Sequence, residues 1–134
     1  MTAYLALSVV FPAVDRILAG SKTLEVRQWS PDLASLPLCN LLLVQNYRRL
    51  SSAHLPEDPD GRAMAVVDVT RVRPWLPEDC AQSCSRPEAW EPGWLAWELG
   101  NVRPAHCARP VPARLRLYSL EFAEGELRAG MDVV

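Results

Sequence analysis

The residue types best suited to chemistry sit close together near the start of the chain: Lys22, Thr23, Glu25, Arg27 and Trp29. Lys22 is the single lysine, since 13 of the 14 basic residues are arginine. Its ammonium is a mobile point charge suited to an oxyanion or phosphate, and Glu25 can accept hydrogen bonds from an exocyclic amine or ring N–H. Arg27 offers a planar fork of donors to a phosphate or base carbonyl. Trp29 offers a face for base stacking, worth roughly 1–3 kcal/mol when well placed. On a strand over residues 22–29, Leu24 and Val26 point one way and Thr23, Glu25, Arg27 and Trp29 the other. Two readings of that polar face are open. Either it is a solvated sheet face whose Glu25–Arg27 pair contributes ~0–1 kcal/mol, or it lines a cleft as ligand contacts.

Further along, Asn46, Tyr47, Arg48 and Arg49 bring an amide, a phenol and two guanidiniums to the exit of a strand. Asn46 suits a turn cap as well as a ligand contact. Arg48 and Arg49 are surface residues or the outer part of an electropositive mouth. Trp94 and Trp97 are candidates for stacking or for the core, where large aromatics are commonly recruited. As a general base near pH 7 a lysine needs burial or positive neighbours that disfavour its charged form. Glu25 next door works the other way, so the Lys22–Glu25 pair suits binding better than base catalysis.

The elements that must position these groups can be read from the hydrophobic pattern. Residues 4–9 read as a buried strand, and Phe11, Val14, Ile17 and Leu18 form one apolar stripe of a short helix over residues 12–19. Pro12 suits its first turn and Gly20 the left-handed position that ends it. Residues 30–36 read as loop, 38–45 as a central strand, 56–61 as an exposed loop and 63–72 as the strongest strand, with four valines. Residues 74–85 suit a short helix; 94–102 are ambiguous between strand and helical turn. Pro104, Pro110 and Pro112 predict loop, and alternation over residues 115–122 a last strand. Several strands with few helices predict a mainly β (α+β) fold, a curved sheet or small barrel with helices over its open edges.

Composition narrows the classes. At 134 residues, 49% apolar and 22% charged, the sequence suits one globular domain over 1–134, with 123–134 as a loose tail. A net charge of −2 excludes indiscriminate phosphate gripping and leaves nucleic acid only a local basic groove or pocket. Cys80 and Cys84 are four apart, a helical spacing rather than that of a zinc knuckle, and only His54 and His106 could supplement them. Reduced thiols, no metal and no cofactor are expected. There is no phosphate loop, dinucleotide fingerprint or nucleophile elbow. No charged, apolar leader opens the sequence and no stretch approaches 18 apolar residues, so a cytoplasmic protein, adequate as a monomer and without membrane contact, is expected.

The run Ala19-Gly20-Ser21-Lys22-Thr23-Leu24-Glu25-Val26-Arg27, with Leu7-Ser8 and the helix between them, resembles the opening signature of the ASCH domain family of the PUA-like superfamily. Residues 61–74 and 94–112, including Asn101-Val102-Arg103-Pro104, are similar to the family's middle strand and its aromatic-to-proline stretch. The resemblance spans residues 4–122. It implies a small PUA-like β-barrel with flanking helices, a cleft beside the barrel mouth, and binding of RNA or other nucleic acid. Some members of the family are enzymes, which hydrolyse N4-acetylcytidine or cut RNA. In the amidohydrolase group the lysine matching Lys22 is the base, and the nucleophilic threonine falls at Glu25 here. A carboxylate does not replace that hydroxyl step for step. Asp68 is the counterpart considered for the family's acidic proton donor.

The expected activity is therefore binding of RNA, other single-stranded nucleic acid or a modified nucleoside through Lys22, Thr23, Glu25, Arg27, Trp29, Asn46, Arg49 and Trp97. A hydrolase using Lys22 and Glu25, or a protein-interaction module, are the alternatives.

Overall fold

The structure, a computed structural model, describes residues 1–31 and 36–130. Its elements are β1 (Thr2–Val10), α1 (Ala13–Ala19), β2 (Leu24–Arg27), β3 (Leu38–Asn46), β4 (Glu57–Pro74), α2 (Cys80–Ser83), β5 (Leu95–Cys107), β6 (Val111–Arg114), β7 (Leu117–Phe122) and β8 (Leu127–Ala129). The main hydrogen-bonded path runs β2-β5-β4-β3-β1-β7, with β6 on β4 and β8 on β5. β1 and β3 are parallel, while the other pairs are antiparallel. The fold is mainly β with two short helices, as the pattern predicts. The path is that of an open mixed sheet; the pairings do not draw a closed barrel.

The apolar run of β3 is explained by burial on both faces of the sheet. Leu42 and Val44 join Ala6, Val66 and Phe122 in one core, whereas Leu41 and Leu43 join Leu7, Val9, Val67 and Trp97 in the other. Helix α1 covers the second core with Val14 and Ile17. Its first turn is capped from outside: Gln45 Oε1 of β3 accepts from the Val14 N–H at 2.9 Å, and Gln45 Nε2 donates to Asp15 at 3.1 Å. Gly20 ends the helix at φ 85°, the left-handed conformation expected of it. Phe11 and Leu18 of the predicted stripe stay exposed.

Three expectations are corrected and one open reading is resolved. Residues 57–61 are not loop; they open β4 and pair with β6. Pro59 is tolerated because the register shifts between Asp58 and Gly61, a bulge in which the missing N–H is not needed. Gly61 is required by close approach: a Cβ there would meet the Val111 carbonyl oxygen and Val44 Cγ1, each at 2.7 Å. The ambiguous stretch 94–102 is extended, the front of β5. The proline-rich stretch 104–112 holds the end of β5 and the start of β6, and part of the predicted tail, Leu127–Ala129, pairs with β5. The predicted loop 30–36 lies largely outside the described residues.

Candidate functional site

A hollow of about 360 Å³ opens beside the ends of β1, β2 and β3 and the turn between β6 and β7. Its lining includes Ser8, Glu25, Arg27, Asn46, Arg49, Trp94, Arg114 and Arg116. The sheet order explains the convergence: β1 and β3 are adjacent and parallel, in register at Val10–Asn46. Strand β2 is on the far side of β4 and β5 in the pairing order, yet Arg27 bridges back to β1 by donating to the Ser8 carbonyl at 2.9 Å.

Glu25 is the fixed acid of the floor, only 6% exposed. Arg27 grips one of its oxygens with Nε at 3.0 Å and a terminal nitrogen at 2.7 Å. Lys22 approaches the other oxygen at 3.5 Å. Lys22 itself is 8% exposed, and its ammonium donates to the Ser83 carbonyl at 2.8 Å. It stands behind Glu25 and does not line the hollow. Breaking such a buried pair from one side leaves an uncompensated charge, so the trio is held as a unit.

Asn46 supplies a second fixed acceptor. Its side chain is buried, its Nδ2 donates to the Arg48 carbonyl, and its Oδ1 has no hydrogen-bond partner among the described residues. The Arg48 carbonyl fixes the amide orientation, because the flipped amide would oppose two oxygens. A buried unpaired acceptor costs roughly 1–3 kcal/mol, and this one belongs to a residue of the hollow's wall. Around the rim, Arg114 is paired with Glu57 at 2.6 Å. Arg49 and Arg116 have no carboxylate partner among the described residues. Four arginines against Glu25 and Glu57 give an acidic protein a locally positive recess.

Ser8 ties this wall together. The Arg114 N–H donates to Ser8 Oγ at 3.0 Å, and Ser8 Oγ lies 2.8 Å from the Tyr118 hydroxyl, which donates to the Pro112 carbonyl at 3.0 Å. With that proton committed, the Ser8 hydroxyl donates to Tyr118. Burial pushes the Tyr118 phenol above its ordinary value, so it stays a neutral donor.

Of the residues singled out in the sequence, Glu25, Arg27, Asn46, Arg49 and Trp94 meet in the hollow. The others stand elsewhere. Trp97 is a correction: at 0% exposure it is core, directly across from Glu25 in the β2–β5 register, and its indole N–H donates to the Trp29 carbonyl at 3.3 Å. Opposed residues of an antiparallel pair share a face, so Trp97 packs next to Glu25 within the protein. Trp29 is half-buried edge-on to Trp97, and Arg116 lies 4.3 Å over its ring. Trp94 is the tryptophan on the hollow's wall. Thr23 borders two other depressions, one of about 430 Å³ that Leu18, Lys22 and Val102 also line and one of about 250 Å³.

Arg48 is tied to Asp58 at 2.9 Å, leaving Arg49 to face the recess. Asp68 is also away from it. The Asn40 N–H, Asn101 and Arg103 hold its carboxyl below the ordinary carboxylate range, in that structural knot. Sequence reasoning missed Arg114, Leu115 and Arg116 as site residues; the signal was an Arg-x-Arg at the end of the proline-rich stretch. The Cys80 and Cys84 thiols are free, one buried and one exposed.

Among the described residues no cluster of three or more His, Cys, Asp or Glu is placed to hold a metal, and no helix is long and apolar enough to cross a membrane. A comparison with curated proteins returns no match. The family model described as the ASCH domain matches residues 7–107, most of the chain, a span that includes Glu25, Arg27, Asn46 and Arg49 of the hollow but not Arg114 or Arg116. On that match, the chain belongs to the ASCH domain family.

Proposed function

We propose that this ASCH domain binds single-stranded RNA or a modified nucleoside in the hollow between Glu25, Asn46 and the arginine rim. The observation that carries the reading is the pairing of opposite chemistries at two depths. Buried acceptors, Glu25 and the unpartnered Asn46 Oδ1, suit the N–H edge of a base. Guanidiniums without carboxylate partners, Arg49 and Arg116, suit its phosphate. The volume is at the low end of small-ligand sites, which run from roughly 300 to 1,000 Å³. Trp94 offers an aromatic wall beside them.

The binding reading is favoured over hydrolysis by Lys22. Its ammonium is engaged by the Ser83 carbonyl and the rear of Glu25, and it is not among the residues that line the hollow. In this reading residues 1–134 act as one unit and as a monomer in the cytoplasm, and the sheet is a PUA-like barrel whose seam lies between its terminal strands. Fluorescence anisotropy with a labelled single-stranded RNA octamer, in competition with nucleosides, tests it. Wild type binds and Arg49→Ala binds at least several-fold more weakly. Equal binding by the two proteins contradicts the hollow as the site.

A further inference from the structure

At the lip of the hollow two large aromatic side chains are left in water. Phe11 is 50% exposed and Tyr47 58% exposed, yet their rings contact each other, with centroids 5.2 Å apart and planes inclined at 30°. Their meeting follows from the register. Val10 of β1 and Asn46 of β3 are partners in the parallel pair and both line the hollow. Phe11 and Tyr47 are the next residue on each strand, so they leave the sheet side by side. The Phe11 N–H donates to the Asn46 carbonyl at 2.8 Å, which fixes this exit.

Apolar surface left in water goes without the stabilisation of burial, and each ring keeps half or more of its surface exposed although the two touch. Two half-exposed rings in tilted contact, each one residue beyond a residue that lines a recess rimmed by Arg49, Arg114 and Arg116, have the two components of a single-strand track: aromatic surface for bases and guanidiniums for the backbone. The positive charge of that rim selects a polyanion over an apolar peptide or a second copy of the chain.

We infer that the Phe11–Tyr47 pair is a stacking platform for the base adjacent to the one held in the hollow, so that the physiological ligand is a single-stranded nucleic acid rather than a free nucleoside. The inference rests on the proposed function and narrows its ligand. It also gives an exposed tyrosine two residues from Arg49 a reason to be there: stacking at Tyr47 delivers the following phosphate toward that guanidinium.

The test compares a fluorescein-labelled single-stranded RNA octamer of mixed sequence with unlabelled nucleoside 5′-monophosphates, on wild type, Phe11→Leu/Tyr47→Leu and Phe11→Trp. Leucine keeps apolar area and removes the ring face; tryptophan keeps and enlarges it. The expected result is roughly tenfold weaker octamer binding by the double leucine variant. Monophosphate competition stays unchanged, and octamer binding by Phe11→Trp is equal to or tighter than wild type. Octamer binding that survives the leucine pair but is lost in Arg49→Ala overturns the platform and leaves the hollow standing. So does wild-type binding no tighter for the octamer than for a monophosphate. No binding of either probe by wild type overturns platform and hollow together.

Discussion

Lys22 stands behind Glu25, not beside it at the surface. Its ammonium is 3.5 Å from one carboxylate oxygen, while the other oxygen receives Arg27 at 2.7 Å. The chain's single lysine thus helps to hold Glu25 in position from the side away from the hollow. That division of labour separates stability effects from binding effects.

Lys22→Met removes the rear charge and the Ser83 hydrogen bond but leaves Arg27 on Glu25. The expected loss of stability is about 2–3 kcal/mol by urea denaturation, below the ~3–5 of a wholly uncompensated buried charge. Octamer affinity, measured well below the unfolding midpoint, stays within about threefold. A variant of normal stability that no longer binds would put Lys22 in the ligand's path.

Arg116 adopts φ 58°, a conformation that costs a non-glycine residue roughly 1–2 kcal/mol. Its guanidinium gains back part of this over Trp29, ~0.5–1 kcal/mol. Arg116→Gly is therefore expected to leave stability within about 1 kcal/mol. It should nevertheless weaken octamer binding and reduce the slope of log affinity against log salt by about 0.7. Arg49→Ala should do the same. An unchanged slope in both variants contradicts phosphate contact at the rim.

Much of this architecture was legible in the sequence. The β3 run, the two-residue period of β2 and the Pro12–Gly20 bracket of α1 are local patterns, and local patterns report local structure. The corrected elements depend on partners distant in the chain. Glu57–Gly61 looks like loop because its proline, glycine and acids are loop residues, and only pairing with β6, some 50 residues on, makes it strand. Of the site, Glu25, Arg27, Asn46 and Arg49 were visible as polar residues on strands or at strand exits. Trp97 was misplaced because periodicity gives a face and not the depth of that face. Arg114 and Arg116 were hidden for a similar reason: nothing local says that the β6–β7 turn folds over the ends of β1 and β3.

Ser8→Ala breaks the chain from the Arg114 N–H to Tyr118 and leaves the Arg114 N–H without its acceptor. The expected destabilisation is about 1–3 kcal/mol, read as a lower urea midpoint. Tyr118→Phe, which removes the next member of the same chain, should be less than additive with it in a double-mutant cycle. Full additivity would show that the two hydroxyls act independently.

Acid should destabilise the fold through three aspartates. Arg48 holds Asp58 below the ordinary carboxylate range, the Asn40 N–H with Asn101 and Arg103 does so for Asp68, and Arg73 for Asp79. Each folded-state pKa is depressed, so the unfolded chain binds more protons as pH falls. The stabilisation is complete above the unfolded value, about 3.9, and is lost as pH drops through the lower folded values. Urea midpoints should fall between pH 6 and pH 3, and less steeply in Asp79→Asn. A midpoint independent of pH across that interval contradicts these ion pairs.

The most direct measurement is a nitrogen-edited NMR titration of the labelled protein with the single-stranded RNA octamer, following side-chain as well as backbone signals. The expected result is perturbation of the Arg27 and Arg49 Nε–H, the Asn46 amide and the backbone of 113–116, with the separate depression lined by Leu18, Thr23 and Val102 silent. Perturbations confined to that second depression, or none at saturating RNA, would contradict the hollow as the ligand site.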